Sequence, residues 1–207
     1  MRTLLFDFDG TIADSFDVVV NIFYELTGHA RITDSTEVLR LRKMPMMRVA
    51  KELHVNPIQI PRLLIRGRKM MHAKLAEVPA FDGIAQALQT LQNQGYKLYV
   101  MSSNSTQNVR AFLEATKLDT YFDDVYGNIG LLNKAAAIRK VLRQNGLQPH
   151  ECVYIGDESR DIDGAKKAGV GMVSVAWGYN DVSLLREHHP DAIVEHPSEL
   201  IAAIKKV

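Results

Sequence analysis

The 207-residue chain holds a single cysteine, Cys152, which excludes a disulfide framework and any zinc site built on several cysteines. A lone thiol points to a reducing, cytoplasmic setting. No apolar run approaches the roughly 20 residues that a membrane-spanning helix needs. The opening segment carries one basic residue, Arg2, and its apolar stretch is broken by Asp7, so no signal peptide is expected. Net charge is scarce as well: 25 Lys and Arg oppose 24 Asp and Glu, which gives no general pull toward nucleic acid or a membrane surface. The small excess is unevenly spread, however. Between Ser15 and Val78 eleven basic residues face six acids, so a basic segment sits within an otherwise acidic chain.

Short apolar runs that read as strands are TLLFDF (3–8), KLYVMS (97–102), ECVYIG (151–156), GMVSVAW (171–177) and AIVE (192–195). Amphipathic patterns that read as helices separate them, two ending on Gly95 and Gly146. This alternation predicts an α/β fold, a doubly wound and mostly parallel sheet covered on both faces. From 15 to 79 the strand signal stops and only helical patterns remain. The expected organisation is therefore a core of 1–14 and 80–207 with an inserted all-helical subdomain of 15–79.

In open parallel sheets, ligands bind beyond the carboxyl ends of the strands. Three of the expected strands end in polar residues: Asp7, Asp9 and Thr11 after the first, Ser103 and Asn104 after KLYVMS, Asp157 and Glu158 after ECVYIG, with Asp161 four residues on. Asp7 and Asp9 share one side of a strand by its period of two, so their repulsion calls for a cation, a shared proton or water. An oxygen-only set of carboxylates favours Mg²⁺ over zinc. A calcium loop beginning at Asp7 fails, since its sixth and twelfth positions are Ile12 and Val18. Lys134 opens a helical pattern, where a cation opposes the helix dipole, and a residue placed against local preference suggests a task. Asp14 and Ser105 each precede a helical pattern and read as N-caps. Cys152 lies in an apolar run and reads as an inert core residue.

In their order and spacing these residues resemble the haloacid dehalogenase superfamily, and within it the phosphoglycolate phosphatase-like hydrolases. The matching segments are DFDGT (7–11) followed by IADS, the Ser103-Asn104 pair, Lys134, GDESRDIDGAKKAG (156–169) and VAWGYN (175–180). The resemblance implies a Mg²⁺-dependent phosphatase in which Asp7 is the nucleophile and Asp9 the general acid and base. It implies a metal held by Asp7, Asp9 and Asp157, with Glu158 and Asp161 around it. Thr11, Ser103, Asn104 and Lys134 would bind the phosphoryl group, and the helical insert would act as a cap. Asp9 argues against dehalogenation, because dehalogenases of the superfamily generally lack the second aspartate. One departure stands out: the stretch LRLRKMPMM has Lys43 where related phosphatases often carry a glycine. Arg42 and Lys43 would then either grip a second anionic group on the substrate or lie in solvent. The expected partner is a small phosphorylated metabolite, with no nucleic acid and no membrane, on a monomer or small homo-oligomer. A phosphomutase of the same fold and a non-catalytic phosphate-ester binding protein are the alternatives.

Overall fold

The computed structural model describes residues 2–130 and 133–207. The chain opens with strand β1 (Thr3–Phe6) and runs through helices α1 (Phe16–Thr27), α2 (Ser35–Arg42), α3 (Met46–Glu52) and α4 (Ile60–Lys74). It then alternates as α5 (Ile84–Asn93), β2 (Lys97–Met101), α6 (Thr106–Ala115), β3 (Asp124–Tyr126), α7 (Lys134–Gln144), β4 (Cys152–Gly156), α8 (Ser159–Ala168), β5 (Gly171–Val175), α9 (Val182–Glu187), β6 (Ala192–Val194) and α10 (Leu200–Ile204). The six strands form one sheet in the order β3-β2-β1-β4-β5-β6, every pairing parallel.

β1 lies at the centre of this sheet, which is why its four residues are all apolar or sealed from solvent. The period-two alternation sends Leu4 and Phe6 into the core on one face and Leu5 into the core on the other. The first face carries Leu88, Leu91, Val109 and Phe112 from α5 and α6; the second carries Ile138, Leu142, Ile162 and Ala165 from α7 and α8. Cys152 is buried in the second core, where burial pushes its thiol up to about 12, as an inert packing residue requires. The strand order reverses direction between β1 and β4, so the carboxyl ends of these two strands flank the crevice where doubly wound sheets hold ligands.

Two local expectations need correction, and one strand was not foreseen. β1 ends at Phe6, because the chain turns at Phe8, whose carbonyl accepts from the N–H groups of Thr11, Ile12 and Ala13. β3 carries no strand signal in the sequence: it is a three-residue edge strand with one buried side chain, Val125. Asp14 does not cap α1. Ser15 occupies that position, and its hydroxyl bonds Asp9 instead of the helix N–H groups. Ser105 does cap α6, accepting from Asn108 N–H at 3.1 Å.

The two chain segments that enter and leave the helical run are tied to each other. Ala13 bridges Ala80, Asp14 N–H donates to Pro79 C=O at 2.9 Å, and Phe81 N–H donates to Ile12 C=O at 3.1 Å. Within the run, α1 packs on α4 through Val18, Ile22 and Met71, whereas α2 and α3 bury no residue completely. Among the described residues, no helix is long and apolar enough to cross a membrane.

Candidate active site

β1 delivers Asp7 one residue beyond its end, and the Asp7 N–H still bonds Ile155 C=O at 2.8 Å, which locks the first turn of the loop to β4. β4 delivers Asp157 in the same way. A carboxylate oxygen from each of Asp7, Asp157 and Asp161 lies within 4.8 Å of the others, and all three residues are buried. Lys134, at the first position of α7, reaches into this cluster. Its Nζ stands 2.9 Å from Asp7 Oδ2 and 2.5 Å from Asp161 Oδ1, and 5.0 Å from the centroid of the Tyr154 ring. The cost of a cation at a helix N-terminus, some tenths of a kcal/mol, is outweighed by two buried carboxylates.

The electrostatics are those of an acid-rich, poorly hydrated pocket. Burial pushes Asp7 up to about 7, against the opposing pull of Lys134, and Asp161 adds to the rise. Burial also raises Asp157 well above the usual carboxylate range, reinforced by Glu158, Asp161 and Asp7. Burial alone would depress the Lys134 ammonium, yet Asp161 and Asp7 hold it above the ordinary lysine value. The charge set is thus short of positive charge beside Asp7 and Asp157, as a divalent cation site would be. Asp161 is less free for such an ion: its Oδ1 faces Lys134 and its Oδ2 accepts from Glu158 N–H at 3.0 Å.

Asp157 is fixed from every side. Thr11 Oγ1 donates to its Oδ1 at 2.8 Å and Tyr179 N–H to its Oδ2 at 2.7 Å. Gly10, at φ 81°, and Gly178 both pass so close to Asp157 that a methyl group on either would collide with its side chain. Thr11, expected on the phosphoryl group, therefore has its hydroxyl engaged with Asp157. Asp9 points to the cleft, where Ser15 Oγ donates to its Oδ1 at 2.9 Å and Asn104 Nδ2 lies 3.4 Å from its Oδ2. Burial raises the Asp9 carboxyl, and the Ser15 and Asn104 hydrogen bonds partly offset that rise. Ser103 lines the same cleft. Glu158 is held by Arg160 through two bonds of 2.7 and 2.8 Å.

Several residues at the site escape sequence reasoning. Ser15 bonds both Asp9 and the Tyr179 hydroxyl, the latter at 2.8 Å. Its signal lay in the IADS tail of the first motif. Asn108 Nδ2 donates to Asn104 Oδ1 at 2.9 Å and to the Arg68 carbonyl of α4 at 2.8 Å, while its Oδ1 faces His72 Nδ1 at 2.9 Å. A buried amide thus links the helical insert to the loop that touches Asp9. Arg68 lines the cleft with its Nε buried and without a partner among the described residues. Arg42 Nε donates to Tyr179 C=O at 2.9 Å, a terminal nitrogen donates to Gly178 C=O, and the guanidinium lies 5.4 Å from the Phe16 ring centroid. Its own carbonyl accepts from Asp181 N–H at 2.9 Å. Lys43 is exposed and, among the described residues, is not part of the cleft wall.

A parallel sheet with this strand order, carrying paired aspartates after the first strand, a serine after the second, a buried lysine and an aspartate at the fourth, defines a phosphoryl-handling hydrolase. Residues 4–175 match the family model described as haloacid dehalogenase-like hydrolase, and the chain belongs to that family. It is 33% identical to the phosphoglycolate phosphatase of Synechococcus elongatus over 210 residues, covering all of this chain and 99% of that one. It is 27% identical to the pyrophosphatase PpaX of Anoxybacillus flavithermus, covering 99% of this chain and 97% of that one. A solved haloacid dehalogenase-like hydrolase from Streptococcus pneumoniae superposes with a TM-score of 0.81 at 25% identity, over 99% of this chain and 98% of that one. Within the family, the chain is a phosphatase-type hydrolase.

Proposed function

We propose that the protein is a Mg²⁺-dependent, cytoplasmic phosphatase that cleaves a small phosphate monoester through an aspartyl-phosphate on Asp7. The observation that carries this reading is the buried Lys134 ammonium, held between Asp7 and Asp161 at the ends of the central strands. It is positioned to draw phosphoryl oxygens onto the Asp7 carboxylate, with the Ser103 hydroxyl as a further donor. Asp7 attacks phosphorus in line, the P–O bond to the leaving group breaks, and the departing oxygen takes a proton from Asp9. Asp9, as a carboxylate, then takes a proton from the water that attacks the aspartyl-phosphate, releasing inorganic phosphate and restoring Asp7. The raised Asp9 pKa favours the protonated form needed for the first of these roles. Asp161 orients Lys134, and Arg160 holds Glu158 beside the cleft. When bound by Asp7, Asp157 and the Asp9 main-chain carbonyl, Mg²⁺ would offset the carboxylate charge and that of the phosphoryl oxygens. Residues 15–79 serve as the cap over this centre.

The test is phosphate release from a panel of phosphate monoesters by wild type and Asp7→Asn, with Mg²⁺ and after chelation. Loss of the nucleophile is expected to lower kcat by about 10³-fold or more, and chelation to do the same. Release by Asp7→Asn at the wild-type rate would exclude the covalent mechanism.

A further inference from the structure

The cleft does not stop at the catalytic residues. A cavity of about 470 Å³ begins at Asp9, Ser103 and Asn104 and continues among the four helices of the insert. That volume falls within the ~300–1,000 Å³ range of sites that enclose drug-sized ligands, most of them apolar with a few polar anchors. A glycolate leaving group, with two carbons, would occupy only its entrance.

The wall beyond the entrance is apolar. Phe23 of α1, Leu41 of α2, Met44, Met46 of α3, and Leu63 and Leu64 of α4 all border the cavity and are only partly buried. α2 and α3 bury no residue completely, so their apolar sides face this space in place of a packed core. Four arginines border the cavity: Arg42 bonds the Gly178 and Tyr179 carbonyls, Arg160 bonds Glu158, and Arg31, in the loop after α1, is exposed to solvent. Arg68 stands toward the catalytic end, where Asn108 ties its main chain to Asn104 and one of its terminal nitrogens lies 3.4 Å from Asn128 Oδ1. Apart from the solvent-exposed Arg31, positive charge is thus gathered toward the end where the phosphoryl group must sit, and apolar surface where the leaving group must sit. A second anion on the substrate would be pressed against methionine and leucine, at a desolvation cost of several kcal/mol.

We infer that the cap selects phosphate monoesters whose leaving group is an apolar alkyl or aryl body, with Met44, Met46, Leu63 and Leu64 forming its binding wall. The inference rests on the phosphatase reading for the identity of the polar end. Methionine suits such a wall, since its unbranched, polarizable side chain adapts to ligands of differing shape.

The experiment measures kcat/KM, with Mg²⁺, for methyl, butyl and hexyl phosphate and phenyl phosphate beside phosphoglycolate and pyrophosphate. Each buried methylene is worth about 0.8 kcal/mol, so kcat/KM is expected to rise about fourfold per methylene until the cavity is filled. Values that stay flat or fall with chain length, or phosphoglycolate or pyrophosphate surpassing every apolar ester, would overturn the inference. Met46→Gln and Leu64→Gln should each lower the hexyl-to-methyl ratio of kcat/KM about tenfold. An unchanged ratio in both variants counts against the assigned wall. Calorimetry with non-hydrolysable alkylphosphonates separates the two readings. Affinity that grows with chain length without any phosphate release keeps the apolar site and removes the phosphatase. Release with affinity independent of chain length does the reverse.

Discussion

Asp157 takes one hydrogen bond on each oxygen and is hemmed in by two glycines, so its carboxylate has essentially one orientation. Orientation of this kind is what a partner outside the ligand shell contributes to a metal site, typically 10–100-fold in affinity. Thr11→Val removes the hydroxyl at a fully buried position while keeping the volume. The half-saturating Mg²⁺ concentration should rise by about 10-fold or more, beside a stability loss of about 1–3 kcal/mol for the buried Asp157 oxygen that loses its donor. A raised KM for the phosphate ester at saturating Mg²⁺ would instead place the hydroxyl on the substrate. The contrast marks what residue spacing conveys. It placed Asp7, Asp9, Lys134 and Asp157 together because all four sit at strand or helix ends. It could not give the direction of the Thr11 hydroxyl, which depends on a partner 146 residues away. Asn108 and Arg68 were invisible for the same reason, since their relation arises only when α4 is laid across α6.

Among the secondary-structure elements, the contact between α4 and α6 is polar at its centre. Asn108 satisfies three groups at once: the Asn104 amide, the Arg68 carbonyl and the His72 ring. Asn108→Leu keeps the branched shape but removes all three bonds, while Asn104 Oδ1 keeps the Ser105 N–H and the Arg68 carbonyl stays within its helix; the loss is about 1–3 kcal/mol. Unfolding in urea should show a loss of that order. kcat should fall further than KM changes, because Asn104, with one of the two bonds to its Oδ1 lost, steadies Asp9 less firmly. An equal fall for a variant altered elsewhere on the α4 surface would reduce Asn108 to a packing role. Strands and helices of the core were legible where the hydrophobic period was long, as in ECVYIG or the pattern ending on Gly146. β3 was not, because three residues carry too little periodicity. The position of Asp14 misled for a different cause: both Asp14 and Ser15 have capping chemistry, and only the fold sends the serine to Asp9.

The molecule as a whole gathers buried acids at the switch point of its sheet, and this couples its stability to pH. Asp7 is held at about 7 and Asp157 is raised as well, against an unfolded value near 4. The folded state therefore binds protons that the unfolded chain has released, and stability falls as pH rises from about 4 to 7. In chelator, Tm should be higher at pH 5 than at pH 8. Added Mg²⁺ competes with those protons, so its stabilising effect should be largest at pH 8 and fade toward pH 5. Thermal melts with Mg²⁺ and with chelator at each pH measure both trends, and Mg²⁺ stabilisation that grows toward acid would contradict the assignment of these carboxylates.

The bridge between Ala13 and Ala80 has a consequence for how such an enzyme changes over time. Because the segments on either side of the insert are hydrogen-bonded to each other, the ends of the 15–79 segment leave the core side by side, like the two prongs of a plug. Lengthening, shortening or exchanging the segment between them leaves the distance its ends must span unchanged. Under the proposed division into core and cap, the sheet keeps its chemistry while substrate preference drifts in a separately replaceable part, and insertions between α1 and α4 should be tolerated where insertions between β1 and Ala13 are not.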